Sequence, residues 1–93
     1  EQEYAPGVTA RKELLLSVAR AYRRIGAHDK ALALIDRVLG EQATPAQRWL
    51  RAEILRDLGQ RARMDAELES ILATPASDRE GRILHLRARL MRD

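Results

Sequence analysis

Apolar residues recur along most of this chain at intervals of three and four positions, the spacing of one face of an α-helix. Residues 1–8 lack this period and contain Pro6 and Gly7, so they are predicted to form a lead-in loop. Thr9 is the expected N-cap of a first helix that ends near Ile25. The predicted apolar face of this helix consists of Leu14, Leu15, Val18, Ala19, Tyr22 and Ile25.

Capping and turn residues divide the rest of the chain into four more predicted helices. Asp29 is the expected N-cap of the second helix and Thr44 that of the third. Gly59 ends the third helix and precedes a fourth over residues 61–73. A capping box over residues 77–80, with Ser at the cap, begins a fifth helix that runs to the end of the sequence. Because the connections have only about two to five residues, consecutive helices are expected to be antiparallel neighbours.

The chain also repeats itself at a helical period. Residues 84–93 follow residues 48–57 at an offset of 36, and Gly26 recurs as Gly59 at an offset of 33. A period of 33 to 36 residues that is helical throughout is typical of helical solenoids. The sequence therefore predicts an all-α fold, an α-solenoid of about five helices. The predicted divisions are the lead-in loop 1–8, a first repeat over 9–45, a second over 45–77, and the first helix of a third over 78–93.

These residues resemble the tetratricopeptide repeat (TPR) family, whose unit is a helix-turn-helix of about 34 residues. Residues 12–45 match the family pattern well and residues 45–77 less well, since Met64 replaces the usual Ala and two Arg replace apolar residues. The resemblance implies that the first helix of each unit lines a concave groove. The groove positions would then be Leu16, Arg20 and Arg23, followed by Trp49, Glu53 and Arg56, and then by His85, Arg89 and Arg92.

Two features of the helices concern packing rather than binding. Small residues at 19, 31, 52 and 88 would let neighbouring helices approach closely. Arg51 and Arg87 interrupt the apolar arcs of the third and fifth helices. We interpret each as a half-buried Arg whose stem packs and whose head bonds an acid of a neighbouring helix, such as Asp36 or Asp65.

Composition limits the class of protein but not its partner. The 93 residues contain no Cys and no Phe, so the core must be aliphatic, and the cytosol and the periplasm fit equally well. No run approaches the ~20 apolar residues that span a bilayer, so no membrane insertion is expected. The net charge is +3, and fifteen of the seventeen basic residues are Arg. A positive groove favours an acidic protein or peptide partner.

The motifs of catalysis and cofactor binding are missing from the sequence. His28 and His85 lie on different predicted elements and have no spacing that builds a metal site. No Gly-rich phosphate loop and no nucleophile-base pattern is present. We therefore expect a protein that is not an enzyme, with no catalytic residue, no cofactor and no metal.

The predicted function is a protein-interaction scaffold that forms part of a longer TPR array. The broad apolar surface of helix 78–93 predicts self-association or packing against a further helix. The composition is also similar in style to the periplasmic TPR arrays of bacterial exopolysaccharide-export outer-membrane proteins, such as those for Pel, cellulose or poly-glucosamine. That resemblance implies a polysaccharide or a polysaccharide-modifying enzyme as partner. The alternatives are a nucleic-acid-binding helical repeat, which the scarcity of aromatic residues disfavours, and a carbohydrate-binding surface centred on Trp49.

Overall fold

The structure of the protein, a computed structural model, has five α-helices among the residues that it describes. The structure describes residues 4–40 and 42–93, with side chains from residue 10 onward, and this part of the chain contains no strand. The chain divides into two compact units, Glu1–Gly40 and Glu41–Asp93, each described by itself below. The helices are α1 Tyr4–Arg24 and α2 His28–Leu39 in the first unit, and α3 Pro45–Asp57, α4 Arg61–Ala73 and α5 Arg79–Arg92 in the second.

The first helix begins earlier than predicted. α1 starts at Tyr4, so the predicted lead-in loop is wrong for residues 4–8, and residues 1–3 lie outside the described part of the chain. Pro6 is the third residue of the helix, where its missing N–H would have had no intrahelical partner. The Pro-Gly pair therefore does not stop the helix, and Thr9 lies inside it instead of capping it.

A left-handed glycine closes the connection between α1 and α2. Gly26 has φ +86°, and its N–H donates to the carbonyl of Arg23 at 3.1 Å. The N–H of Ala27 donates to the carbonyl of Tyr22 at 2.8 Å, which completes a Schellman turn. α2 starts directly after this turn with Ala27 as its N-cap, so the prediction of Asp29 as the cap is wrong.

The connection between α3 and α4 repeats this turn at an offset of 33. Gly59 has φ +76°, and its N–H donates to the carbonyl of Arg56 at 3.0 Å. The N–H of Gln60 donates to the carbonyl of Leu55 at 2.9 Å. Within each unit, one helical hairpin is therefore closed by the same backbone hydrogen bonds at equivalent positions.

Side chains cap α3 and α5. Thr44 caps α3 as predicted: its Oγ1 accepts from the Gln47 N–H at 3.2 Å, and Gln47 Oε1 accepts from the Thr44 N–H at 3.0 Å. Asp78 caps α5, and its Oδ1 accepts from the Gly81 N–H at 2.7 Å. The predicted cap at Ser77 is therefore wrong by one residue.

The core is aliphatic and includes all four of the small residues singled out in the sequence. Ala19 and Ala31 are fully buried in the first unit, as are Ala52 and Ala88 in the second. An alanine at such a position leaves room for a neighbouring helix to pack closely. The other buried apolar residues are Leu16, Leu32, Ile35 and Leu39 in the first unit, and Leu50, Ile54, Leu55, Met64, Leu68 and Ile71 in the second.

The buried face of α1 is rotated relative to the predicted one. Leu16, expected in a binding groove, is fully buried, whereas Leu14 and Ile25, expected in the core, are exposed. Three consecutive leucines at positions 14–16 cover about 200° of a helix, at 100° per residue, so periodicity alone does not choose among them. Packing against α2 makes that choice.

Arg51 is buried in the hairpin of α3 and α4, as predicted, but its partner is a different acid. Its Nε lies 3.1 Å from Oε2 of Glu67 in α4, an ion pair in which the N–H is not aligned for a hydrogen bond. The other oxygen of Glu67, Oε1, accepts a hydrogen bond from Arg48 Nη1 at 3.2 Å. Two cations of α3 are thus held by one carboxylate of α4. Glu67 is thus an ion-pair partner that the sequence analysis did not name.

The corresponding prediction for Arg87 is wrong. Arg87 occupies the position of Arg51 in the repeat, but it is exposed. The difference follows from packing, because α4 brings Glu67 against Arg51 of α3, whereas Arg87 borders the open cleft between α3 and α5.

We expect Gly59→Ala to lower the free energy of unfolding by about 1–2 kcal/mol, because a Cβ disfavours the left-handed backbone. No atom lies within 4 Å of that Cβ position, so conformational strain is the only cause. Urea denaturation followed by circular dichroism measures the loss. The exposed helical control Ala62→Ser should stay within about 0.5 kcal/mol of the parent, and an unchanged Gly59→Ala would contradict the role of the turn.

Glu67→Gln should cost about 1–3 kcal/mol, because it leaves the buried Arg51 and the half-buried Arg48 without their shared carboxylate. Glu69→Gln is the matched control, since Glu69 is on the same helix and exposed. Thermal unfolding of the two variants measures the difference. Equal stabilities would show that the ion pairs contribute nothing to the α3–α4 hairpin.

Candidate functional site

The nine predicted groove residues form three triplets that share the same spacing. Each triplet occupies positions i, i+4 and i+7 and so lies along one side of its helix. One triplet belongs to α1 in the first unit, and the other two belong to α3 and α5, which pack against each other in the second unit. The triplets are Leu16, Arg20 and Arg23; Trp49, Glu53 and Arg56; and His85, Arg89 and Arg92.

The α1 triplet is only partly available to a partner. Leu16 is fully buried, so the prediction that it contacts a partner is wrong. Arg20 is exposed and Arg23 is half-buried. The first unit also has a shallow cleft of about 350 Å³ between its two helices. This cleft involves other residues: Leu15, Val18, Tyr22, Lys30, Ala33, Leu34 and Arg37.

The second unit places Trp49 in a cleft between α3 and α5, which we call the Trp49 cleft. It has a volume of about 310 Å³ and is lined by Ala46, Trp49, Glu80, Ile83, Leu84 and Arg87. The indole is half-buried, so part of the ring contacts the fold and part faces solvent. Trp49 therefore packs against the fold with one part of its surface and leaves another part accessible to a partner.

Charge is balanced within the cleft but not on the helix that borders it. Glu80 and Arg87 stand at its edge and carry opposite charges around an apolar floor. All five arginines of α5 are exposed, whereas its first turn carries a single acid, Glu80. A positive field at this side of the unit therefore comes from the surface of α5 rather than from the cleft itself.

A second cleft in this unit contains a different member of the predicted groove. Arg56 lines a space of about 330 Å³ together with Gly59, Arg61, Met64 and Met91. Arg61 Nη2 donates a hydrogen bond to the backbone carbonyl of Arg92 at 3.0 Å, which fixes the end of α5 beside the α3–α4 hairpin. The second cleft is therefore lined by two arginines and two methionines.

The remaining groove candidates have structural contacts or lie open. His85 donates from Nε2 to the carbonyl of Thr74 at 2.8 Å, because a carbonyl can only accept. The ring thus ties α5 to the α4–α5 connection, and the predicted role in partner contact is not the one its geometry favours. Glu53 is half-buried, while Arg89 and Arg92 are exposed.

Sequence reasoning missed the α5 side of the Trp49 cleft. Ile83 and Leu84 were assigned only to a broad apolar surface, and Glu80 only to a capping box. The available signal was an excess of apolar residues in α5 beyond what a single core face needs. Which of these apolar residues line the cleft with Trp49 is decided by the tertiary contact between α3 and α5, which the local sequence pattern does not specify.

The described residues present no three His, Cys, Asp or Glu side chains that could hold a metal ion. In the same part of the chain, none of the helices has both the length and the apolar character needed to cross a bilayer.

Comparison of the chain with protein-family models, with curated proteins and with solved structures finds no match.

Proposed function

We propose that this chain is a non-catalytic protein-interaction module that binds an extended or helical peptide segment of a partner through the Trp49 cleft. The observation that carries the proposal is the half-buried indole of Trp49 beside the apolar floor formed by Ile83 and Leu84, open to solvent and bordered by charges. Aromatic side chains in such partly desolvated positions contribute a large share of the affinity at protein interfaces.

The dimensions of the cleft favour a side chain of a peptide over an enclosed small molecule. A volume of about 310 Å³ is at the lower end of ligand pockets, which enclose roughly 300–1,000 Å³. The opposite charges of Glu80 and Arg87 at its edge can orient a bound segment by pairing with groups on either side of an apolar anchor. The excess of exposed arginine on α5 favours a partner with acidic residues around that anchor.

The wider form of the proposal is a TPR-like solenoid that belongs to a longer array. Its support is the internal period of 33 to 36 residues and the recurrence of the glycine turn at Gly26 and Gly59 with the same backbone hydrogen bonds. A setting in periplasmic exopolysaccharide export, with recruitment of a polysaccharide-modifying enzyme or guidance of the polymer, is supported only by similarity of composition. This periplasmic setting is the most specific form of the proposed function.

A carbohydrate-binding surface is the second candidate, and one observation favours it. Trp49 is half-buried and lines the same cleft as the charged groups of Glu80 and Arg87, and an aromatic side chain beside polar groups can also hold a sugar ring. Nucleic acid is disfavoured, because Trp49 is the only Trp and Phe is absent, so a row of stacking residues is missing.

Because the chain has a single Trp, the indole fluorescence of Trp49 reports directly on its own cleft. We expect peptides selected from a random-sequence library against the 93-residue chain to shift this emission to shorter wavelength. The affinity of the same peptides for Trp49→Ala, measured with a fluorescent label on the peptide, should be lower by more than about tenfold. Parallel titrations with glucosamine oligosaccharides and with single-stranded RNA test the other two candidates.

Ile25→Ala is the matched control, since it removes an exposed apolar side chain from the first unit and should leave affinity within about twofold. If the peptides bind and the two substitutions Trp49→Ala and Ile25→Ala change their affinity equally, the Trp49 cleft is not the binding site. An emission shift with the oligosaccharides but with none of the peptides would favour the carbohydrate surface.

A further inference from the structure

One side of α5 presents apolar residues that nothing in the described chain covers. Ile83, Leu86 and Leu90 are spaced i, i+3 and i+7 and therefore share one side of the helix, which we call the α5 outer face. All three are exposed, with Leu86 at 59% and Leu90 at 75% of full exposure. A continuous apolar stripe of this kind marks an interaction surface more often than single exposed residues do.

The internal repeat shows what such a face meets elsewhere in this chain. At the offset of 36, Leu86 corresponds to Leu50 and Leu90 corresponds to Ile54 of α3. Leu50 is only 6% exposed and Ile54 is fully buried. Nearly the same side chains are therefore buried in one copy and open in the other, and the copy in which they are buried has α4 packed along it.

The same comparison identifies a charge that the covering helix would carry. Arg51 of α3 is buried against α4, where it forms an ion pair with Glu67. Arg87 is the equivalent residue of α5 and is exposed at the edge of the outer face. A helix that covered α5 as α4 covers α3 would bring a carboxylate to Arg87.

The surrounding charges argue against a second copy of this chain as the occupant. Arg79 is exposed one turn before Ile83, in line with the outer face, and Arg82 is exposed beside that face, on the side away from Arg87. Pairing this face with another α5 would place arginines against arginines, and α1 is also basic, with Arg20 and Arg24 exposed. Like charges across an interface suppress association, whereas an acidic helix would complement the face.

We propose that the α5 outer face is a docking site for an acidic amphipathic helix of a partner protein. The recognised helix has apolar residues at i, i+4 and i+7 and a glutamate at i+3 that pairs with Arg87, the pattern of Met64, Glu67, Leu68 and Ile71 in α4. This is a second interaction surface that adjoins the Trp49 cleft, and Ile83 and Arg87 are the residues that the two share.

A peptide with the sequence of residues 60–74 of this chain is the probe, because it carries that pattern. Fluorescence anisotropy of the labelled peptide should show saturable binding to the intact 93-residue chain. Leu90→Asp in the protein should weaken binding by about tenfold or more, because it removes apolar surface that the bound peptide would cover and places a carboxylate against the apolar side chains of the peptide. Leu90 is exposed, so this variant is expected to keep the helical content of the parent, as checked by circular dichroism.

A charge swap identifies the residue that meets the glutamate. The E67K peptide should bind the parent chain at least about fivefold more weakly than the parent peptide does. The R87E chain should bind the parent peptide more weakly by a similar factor. The R87E chain combined with the E67K peptide should recover most of the lost affinity. Ile25→Asp, an exposed substitution in the first unit, should leave binding unchanged.

The remaining outcomes separate this proposal from the alternatives. If the peptide instead displaced α4 from α3, its affinity would depend on substitutions of Arg51 and not on those of Arg87 or Leu90. That result would overturn the docking site. Absence of binding, or failure of the charge swap, would overturn it as well. Concentration-dependent dimers in sedimentation that Leu90→Asp dissolves would assign the face to self-association instead. Loss of binding in Trp49→Ala but not in Leu90→Asp would place the peptide in the Trp49 cleft, so that this inference fails while the proposed function stands.

Discussion

The helical hairpins of this protein depend on a backbone conformation that only glycine adopts easily. At Gly26 and at Gly59 the chain turns through a left-handed residue, and two backbone hydrogen bonds return to the last turn of the preceding helix. This turn satisfies carbonyls that would otherwise lack partners and sets the start of the next helix without a side-chain cap. The apolar faces of the two helices can meet only because the chain reverses at that point.

The close approach of the helices then decides which side chains enter the core. With no Phe in the sequence and Ala at positions such as 19 and 52, the interior is filled by short aliphatic side chains. A thin core of this kind leaves little room for polar groups, and Arg51 is accommodated there because Glu67 reaches it from the facing helix. A buried pair of this type is weak evidence for high stability, but it fixes which sides of α3 and α4 face each other.

The same packing produces the surfaces that support an interaction role. Trp49 is half-buried because α5 lies beside it, and the outer face of α5 is open because its core-facing side already contacts α3 and α4. The arginines of α5 surround both surfaces with positive charge. Apolar anchors within a charged surround are typical of interfaces that recognise a partner by shape at the centre and by charge at the rim.

The sequence by itself determined the helices, since periodicity, glycine and capping residues are local signals. The bounds of α4 and the capping of α3 by Thr44 were predicted as found, and the burial of the small residues followed from their positions in the repeat. The early start of α1 was missed, because a Pro in the first turn is compatible with both a loop and a helix.

Only the tertiary structure decided which side of each helix is covered. Periodicity does not choose between Leu14 and Leu16, and Arg51 and Arg87 are equivalent by repeat, yet in each pair one residue is buried and the other is exposed. Burial depends on what packs against a residue from elsewhere in the chain, and a local pattern carries no record of that neighbour. For the same reason the sequence identified Trp49 as a candidate, while only the contact between α3 and α5 placed it in a cleft.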